Sequence, residues 1–445
     1  MENKKISRNT WTIFFVFGLV GQIAWTIENM YLNVYIYKTV TYDPSAIATM
    51  VALSAIVATV ATLSMGALSD KLGKRKIFMT IGYLVWGISI ISFGYINQGL
   101  VSSLFPVEDV VLMTLWIIII MDCIMTFIGS TANDAAFQSW VTDVTNPSNR
   151  GKAEGLIATM PLLGMLVVFG LLDGFTQNEM WKEFFWIVGI IVIISGLLGI
   201  FLIKDGNIKK KESHYLKDLA FGFSPKTIKE NKMLYIVFVA VAFLGIAQQV
   251  FMPYFIIYFE FYVGITNYAI LLGAVLILSS IISVIGGRLM DKYGKRKFLV
   301  FSTILYIIGM FAIYILGITL KDNLTLSFIF TLIFGVMTMG SYLVAIVVLN
   351  AMGRDLVPKT HVGVFSGVRM IFLIMIPMVI GPFIGSAVIK ASDLTYVDAF
   401  GVIQSTPTPG IFLAGSIIAI LAFIPFYWIL KHLKKHETNN QLEND

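Results

Sequence analysis

One cysteine, four histidines and 13% charged residues in a chain of 445 are scarcities that each close off a class of chemistry. Cys123 alone permits no internal disulfide and offers no thiolate cluster for a metal. His214, His361, His432 and His436 all fall in segments expected to be inner loops or the C-terminal tail. That leaves no histidine metal site and no histidine proton relay inside a membrane. Neither clustered nucleophile nor acid–base pair stands out, so an integral-membrane enzyme fits poorly. A sensor would carry a soluble output domain, and neither the central polar stretch nor the tail Lys435–Asp445 has the length for one. The scarcity of charge, with 57% hydrophobic residues and a mean hydropathy of +0.84, excludes a soluble globular protein.

What the chain does have is long apolar runs. A membrane helix takes roughly 20 apolar residues, so twelve would use about 240 and leave room for short loops. The runs predict spans near 11–38, 46–69, 77–97, 107–141, 152–173, 184–203, 233–259, 267–290, 298–319, 324–352, 362–390 and 410–430. The apolar run after Thr10 is too long for a signal peptide and has no small-residue cleavage site, so it is expected to stay as the first helix. A net charge of +6 invites a nucleic-acid reading, but its distribution argues otherwise. Of the 32 Lys and Arg, only Lys38, Lys182, Lys321 and Lys390 fall in outer loops and Arg369 within a span. The rest lie on one side, as the positive-inside rule requires, with both termini cytoplasmic. The charge therefore reports topology, and the expected partners are the lipid bilayer and a small-molecule substrate, with no nucleic acid.

The chain uses one stretch twice. Residues 66–76 read Gly-Ala-Leu-Ser-Asp-Lys-Leu-Gly-Lys-Arg-Lys, and 287–297 read Gly-Arg-Leu-Met-Asp-Lys-Tyr-Gly-Lys-Arg-Lys, about half a chain apart. Each joins two apolar runs as a tight basic loop. Gly66 and Gly287 are expected to allow close helix approach, and Gly73 and Gly294 to permit the sharp turn. Asp70 and Asp291 are placed to pair with a nearby Arg or to cap a helix N-terminus, and Arg75 and Arg296 belong to the basic clusters that follow. Tyr31 and Tyr35 recur as Tyr254 and Tyr258. The stretch Lys204–Lys232 carries eight lysines and divides the chain into halves 1–203 and 233–445, with 204–232 as a cytoplasmic linker. The doubled loop resembles that between helices 2 and 3 of the major facilitator superfamily, and its counterpart between helices 8 and 9. This resemblance implies an all-α integral membrane protein, with twelve transmembrane helices in two pseudo-symmetric six-helix halves and a ligand site near the bilayer midplane between them.

Polar residues inside the spans are the candidates for that site. In span 1, Gln22, Trp25, Asn29 and Asn33 form one stripe at helical spacing, bordered by Glu28. An ionised carboxylate at such depth costs roughly 2.5–3.5 kcal/mol on insertion scales, so it faces a cavity, finds a partner or binds a proton. In span 4, Ser130, Asp134 and Gln138 lie at i, i+4 and i+8 with Asn133 alongside. Asp134 is nine residues before Asp143, about 14 Å along a helix and close to the midplane. Asp122 is expected nearer the outside. Span 7 offers Gln248, Gln249, Tyr254 and Tyr258, either for ligand or for interhelical packing. Arg150 and Glu154, after Pro147, open span 5 and suggest gating contacts, loosely echoed by 355–367. Arg369 is expected to snorkel or to pair with an acid, and Pro377, Gly381, Pro382 and Gly385 mark a bent span 11.

Within the superfamily, Met30-Tyr31-Leu32 with Tyr35 resembles a run of the glycoside–pentoside–hexuronide symporters, the melibiose permease family. Asn133-Asp134-Ala135-Ala136-Phe137-Gln138-Ser139-Trp140 resembles their span-four motif. The sucrose transporter branch is also similar. The resemblance implies Asp134 as a sugar-contacting carboxylate. Sodium-coupled members carry acids in span two, whereas Ala52–Ser69 has none, so the coupling ion is expected to be the proton, or absent, rather than sodium. The expectation is a monomeric, cofactor-free, multi-pass symporter of the plasma (inner) membrane that takes a proton on Glu28 or Asp134 and stacks a sugar on Trp25 and Tyr31. The retained alternative is an exporter of drugs or other amphipathic compounds, with 13% aromatic residues and 21 methionines to line a greasy cavity.

Overall fold

A lipid-embedded backbone has no water to satisfy its N–H and C=O groups, so each spanning segment closes its own hydrogen bonds as a helix. The computed structural model describes residues 6–146, 149–205, 220–320, 323–358, 362–392, 395–397 and 403–442. Pro147, His214, His361, residues 206–219 of the 204–232 stretch and the side chain of Asp291 lie outside the described residues. Among those described, twelve helices are long and apolar enough to cross a membrane. Spans 1 to 6 are Arg8–Thr39, Pro44–Leu72, Arg75–Phe93, Val110–Val144, Arg150–Gln177 and Trp181–Leu202. Spans 7 to 12 are Lys232–Val263, Tyr268–Met290, Lys295–Thr319, Leu324–Leu356, Val364–Lys390 and Gly410–Lys434. Two features have no counterpart in the sequence reading. A short helix, Gln98–Leu104, precedes span 4, and strands Thr395–Val397 and Ile403–Ser405 pair antiparallel between spans 11 and 12.

Among the described residues, four spans are interrupted by a wider, π-helical turn, Ile27–Tyr31, Ser130–Phe137, Val168–Leu172 and Ile371–Met375, and span 7 ends in one, Tyr258–Val263. Such a turn adds a residue without ending the helix, and it is often found at functional sites. In span 11 the turn ends two residues before Pro377, whose missing N–H leaves a carbonyl of the preceding turn without its donor. The expected bend there takes this form.

The chain separates into two compact units, Met1–Tyr42 with Thr49–Tyr215, and Asp43–Ala48 with Leu216–Asp445. Within the first, span 3 packs along span 6, and span 1 along spans 5 and 6. Within the second, span 9 packs on spans 10 and 12, and span 7 on spans 11 and 12, so the two units repeat one plan. Apolar side chains such as Ile81, Ile88, Ile120 and Phe201 are exposed, as a lipid-facing surface requires. Spans 3 and 6 approach through Gly87 and Gly189: a Cβ added at Gly87 would stand 2.5 Å from the Gly189 carbonyl oxygen, which is backbone and cannot turn away. The sequence expectation for Gly287 is corrected. An added Cβ there meets nothing within 4 Å, while at the neighbouring Gly286 it would stand 2.6 Å from Val344. Gly66 also has room, its added Cβ reaching Ala135 only at 3.8 Å.

Gly87→Val is expected to force spans 3 and 6 apart and cost about 1–3 kcal/mol. It should lower the unfolding temperature of the detergent-solubilised protein. Gly151→Ala, where an added Cβ meets nothing within 4 Å, is the control and should leave that temperature unchanged.

Candidate functional site

The first unit buries acids around span 1. Glu28 sits in the π turn of span 1 and is only 5% exposed. Its Oε1 accepts a hydrogen bond from the Thr126 hydroxyl of span 4 at 2.7 Å, while Oε2 has no donor. Asp122 lies one turn before Thr126 on the same helix, is 1% exposed, and has no hydrogen bond of ordinary length to either oxygen. Asp134, in the π turn of span 4, is partly accessible and is faced by the Ser130 hydroxyl and the Trp25 indole. Both Asp122 and Asp134 act electrostatically on Glu28. Twelve residues separate the two aspartates, one more than three α-helical turns, and the π turn takes up that extra residue. Asp122, expected nearer the outside than Asp134, lies close enough to Glu28 to act on it, and Glu28 is itself beyond the middle of span 1.

Aromatic groups frame these acids. The Trp25 ring lies 5.2 Å from Trp86 of span 3, and Trp86 meets Tyr83 edge-on at 5.5 Å. Tyr83 donates to the Phe17 carbonyl at 2.8 Å and accepts from Asn133 at 2.6 Å, which ties spans 1, 3 and 4 together.

Neither polar stripe survives as one face, because each runs through a π turn that rotates the residues beyond it. In span 1, Gln22 is half-buried, Asn29 is exposed and Asn33 is fully buried. Asn29 and Asn33 donate to the carbonyls of Trp25 and Asn29, at 2.8 and 2.9 Å. In span 4, Ser130 is buried and Gln138 exposed. Tyr31 is also away from any open face: it is fully buried, donates to Asp173 at 2.8 Å and packs between Phe169 and Phe184.

In the second unit the candidate residues form packing contacts. Gln248 accepts from the Tyr306 hydroxyl at 3.2 Å and directs its amide at Met339 at 3.3 Å. Gln249 is half-buried, its Cβ close against Gly381. Tyr254 donates between the carbonyls of Pro382 and Pro44, at 2.9 and 3.0 Å. Tyr258 stacks on Tyr262 at 5.2 Å and meets Phe412 edge-on. Arg369 donates to Asn350 at 3.2 Å, not to an acid, and its Nε has no acceptor.

The first basic loop is a network centred on Arg75, whose side chain is 4% exposed. Its guanidinium pairs with Asp70, bonds Asp143 at 3.0 Å and reaches Ser69 at 2.5 Å. The helix-capping role weighed for Asp70 belongs instead to Asp205, which accepts from the backbone N–H groups of Arg75 and Lys76 at 2.9 and 2.8 Å. Gly73 and Gly294 hold φ of +66° and +94°, as the sharp turns demand. In the second loop Lys295 bonds Asp355 at 2.5 Å and Arg296 is half-buried. Arg150 donates to Thr145 and to the Thr142 carbonyl, closing the end of span 4, and Glu154 is exposed. Partners from distant helices, such as Asp143 and Asp205, left no local trace in the sequence. The Asp122–Thr126 pair was visible there as an i, i+4 spacing.

Twelve spans in two repeated units, with basic loops at matching places, define a membrane transporter. Residues 11–382 match the Major Facilitator Superfamily, and the chain belongs to that family. No curated protein matches the chain by sequence. Its fold is similar to that of a bacterial homologue of the human lysosomal transporter Spinster, in an inward-facing, occupied conformation. The two share 13% identity over 96% of this chain and 98% of that one, with a TM-score of 0.67. It is similar also to the nucleoside transporter NupG, at 13% identity over 93% of this chain and 98% of that one, with a TM-score of 0.68.

Arg75→Lys replaces a planar fork by a point charge and strands Asp143 or Asp70. The variant should lose about 1–3 kcal/mol, discounted toward the lower end because Asp70 is 39% exposed. Its unfolding temperature in detergent should fall below that of Lys71→Arg, a substitution outside the network.

Proposed function

We propose that this protein is a secondary active transporter that imports a small hydroxylated solute, a sugar or glycoside, by alternating access in symport with protons. It acts as a monomer in the plasma (inner) membrane, with both termini cytoplasmic. The observation that carries this reading is the group of Asp134, Ser130 and Trp25 in the first unit, with Trp86 against the indole. An indole face suits the C–H face of a sugar ring, and a carboxylate accepts from paired hydroxyls. Tyr31 drops out as a stacking surface, since it is enclosed and bonded to Asp173. Trp25 takes that part alone. Proton coupling is supported by Glu28 and Asp134, acids without a cationic partner, on which a proton removes a charge before reorientation through a low-dielectric bundle. Sodium remains disfavoured by the lack of acids in Ala52–Ser69. The similarity to NupG, a nucleoside transporter, adds ribose-bearing solutes to those worth testing, because a ribose offers the same hydroxyl chemistry.

The test is uptake of labelled mono- and disaccharides and nucleosides into proteoliposomes, with and without an inward proton gradient. Gradient-driven accumulation of one sugar is expected. Asp134→Asn should reduce that uptake by about 10-fold or more, the cost of a charged hydrogen bond to a ligand hydroxyl. Accumulation of no sugar, together with resistance to amphipathic drugs on overexpression, would replace import by export.

A further inference from the structure

We infer that Glu28, which takes the Thr126 hydroxyl, and Asp122, one turn before Thr126 and flanked by Ser54, hold a single monovalent cation between them, delivered as a proton or as a sodium ion. On this reading the pair, and not Asp134, is where the coupling ion sits. The inference rests on the reading of the chain as an ion-coupled transporter and assigns that ion a place.

The argument is one of unmatched oxygens. Glu28 and Asp122 are 5% and 1% exposed, and three of their four carboxylate oxygens take no hydrogen bond of ordinary length. The fourth takes the Thr126 hydroxyl at 2.7 Å. Ser54 of span 2, 4% exposed, lies against Asp122 and gives its own hydrogen to the Val51 carbonyl at 3.2 Å. The same hydroxyl also faces Asp122 as a weak donor, beyond ordinary hydrogen-bond length. The ion pairs among the described residues engage Asp43, Asp70, Asp143 and Asp355, and none engages Glu28 or Asp122. The charged and titratable groups facing the pair are Asp134 and the Cys123 thiol, which supply no positive charge. Two anions side by side in such a place repel, and each has lost its hydration. One positive charge removes both penalties. A proton on either carboxylate becomes the donor the other lacks, and a sodium ion would be ligated by carboxylate and hydroxyl oxygens, the hard donors such a cation takes.

Two other acids of the same unit show that this is not how the protein treats every buried carboxylate. Asp173 is 3% exposed yet receives Tyr31 at 2.8 Å and the Gln177 amide at 2.6 Å. Asp134 is partly accessible rather than enclosed. Of these four acids, Glu28 and Asp122 are the ones that combine full burial with oxygens taking no hydrogen bond of ordinary length.

The test needs no substrate. Full-length protein in lipid vesicles is followed by infrared difference spectroscopy of the carboxyl C=O band between about pH 5 and 9, in choline chloride and in sodium chloride. The wild type is expected to show a buried carboxyl band that titrates, or that sodium but not choline displaces. Glu28→Gln and Asp122→Asn should each abolish it, and the near-isosteric Thr126→Val, which keeps both carboxylates, should retain it with a moved midpoint. Titration in choline alone assigns a proton; displacement by sodium assigns sodium. A wild-type signal that persists in Asp122→Asn and vanishes in Asp134→Asn overturns the inference, as does a wild type silent to both ions. If Asp122→Asn does not fold, Glu28→Gln and Thr126→Val decide by the same bands. Sugar uptake that continues in a protein with no such band leaves the transport reading intact and removes only the pair.

Discussion

A carboxylate enclosed by apolar helices must be hydrogen-bonded, paired with a cation or protonated, because the cost of leaving it bare runs to several kcal/mol. The first unit meets this constraint in three ways within one bundle. Asp173 is met by donors from neighbouring side chains, and at the end of the bundle, where the buried charge is the Arg75 guanidinium, the more exposed Asp143 and Asp70 pair with it. Glu28 and Asp122 have one hydroxyl between them. The first two solutions fix structure. The third leaves an interaction to be completed by something that comes and goes, which is what a coupled transporter needs of an acid.

The surroundings hold that acidic pair in place without satisfying it. Tyr83 ties span 3 to the Phe17 carbonyl of span 1 and to Asn133 of span 4, so three helices share one buried hydroxyl. Its ring meets Phe17 and Trp86, and Trp86 meets Trp25. Helices in lipid gain little from hydrophobic contact with each other, so such buried hydrogen bonds and close approaches like that of Gly87 and Gly189 set their spacing. Farther along, Arg75 and Asp205 join the start of span 3 to the ends of spans 2, 4 and 6.

The twelve spans and the repeat were legible because they rest on local signals, apolar runs of sufficient length and a motif used twice. Glu28 and Asp134 stood out for the same reason, as charges where charge is expensive. What escaped the sequence was phase. A stripe such as Gln22, Trp25, Asn29 and Asn33 assumes an unbroken helical period, and the turns at Ile27–Tyr31 and Ser130–Phe137 break it. No proline or glycine inside either turn announces the change. For Asp122 the sequence indicated depth along its helix but not which neighbour it meets, and that neighbour is Glu28 of another helix. Partners supplied by remote segments, Asp173 for Tyr31 and Asp205 for Arg75, carry no local signature at all.

The wider turn in span 4 has an evolutionary side. A helix that contains one extra residue stores part of its geometry in its length, not in the identity of any side chain. Loss of a single codon between Ser130 and Phe137 would return the helix to a regular pitch and swing Asp134 by about 100° relative to Asp122, while leaving both acids in the gene. Relatives that keep every acidic residue but differ by one residue in this stretch would therefore be different machines, and a comparison of residue types alone would not distinguish them.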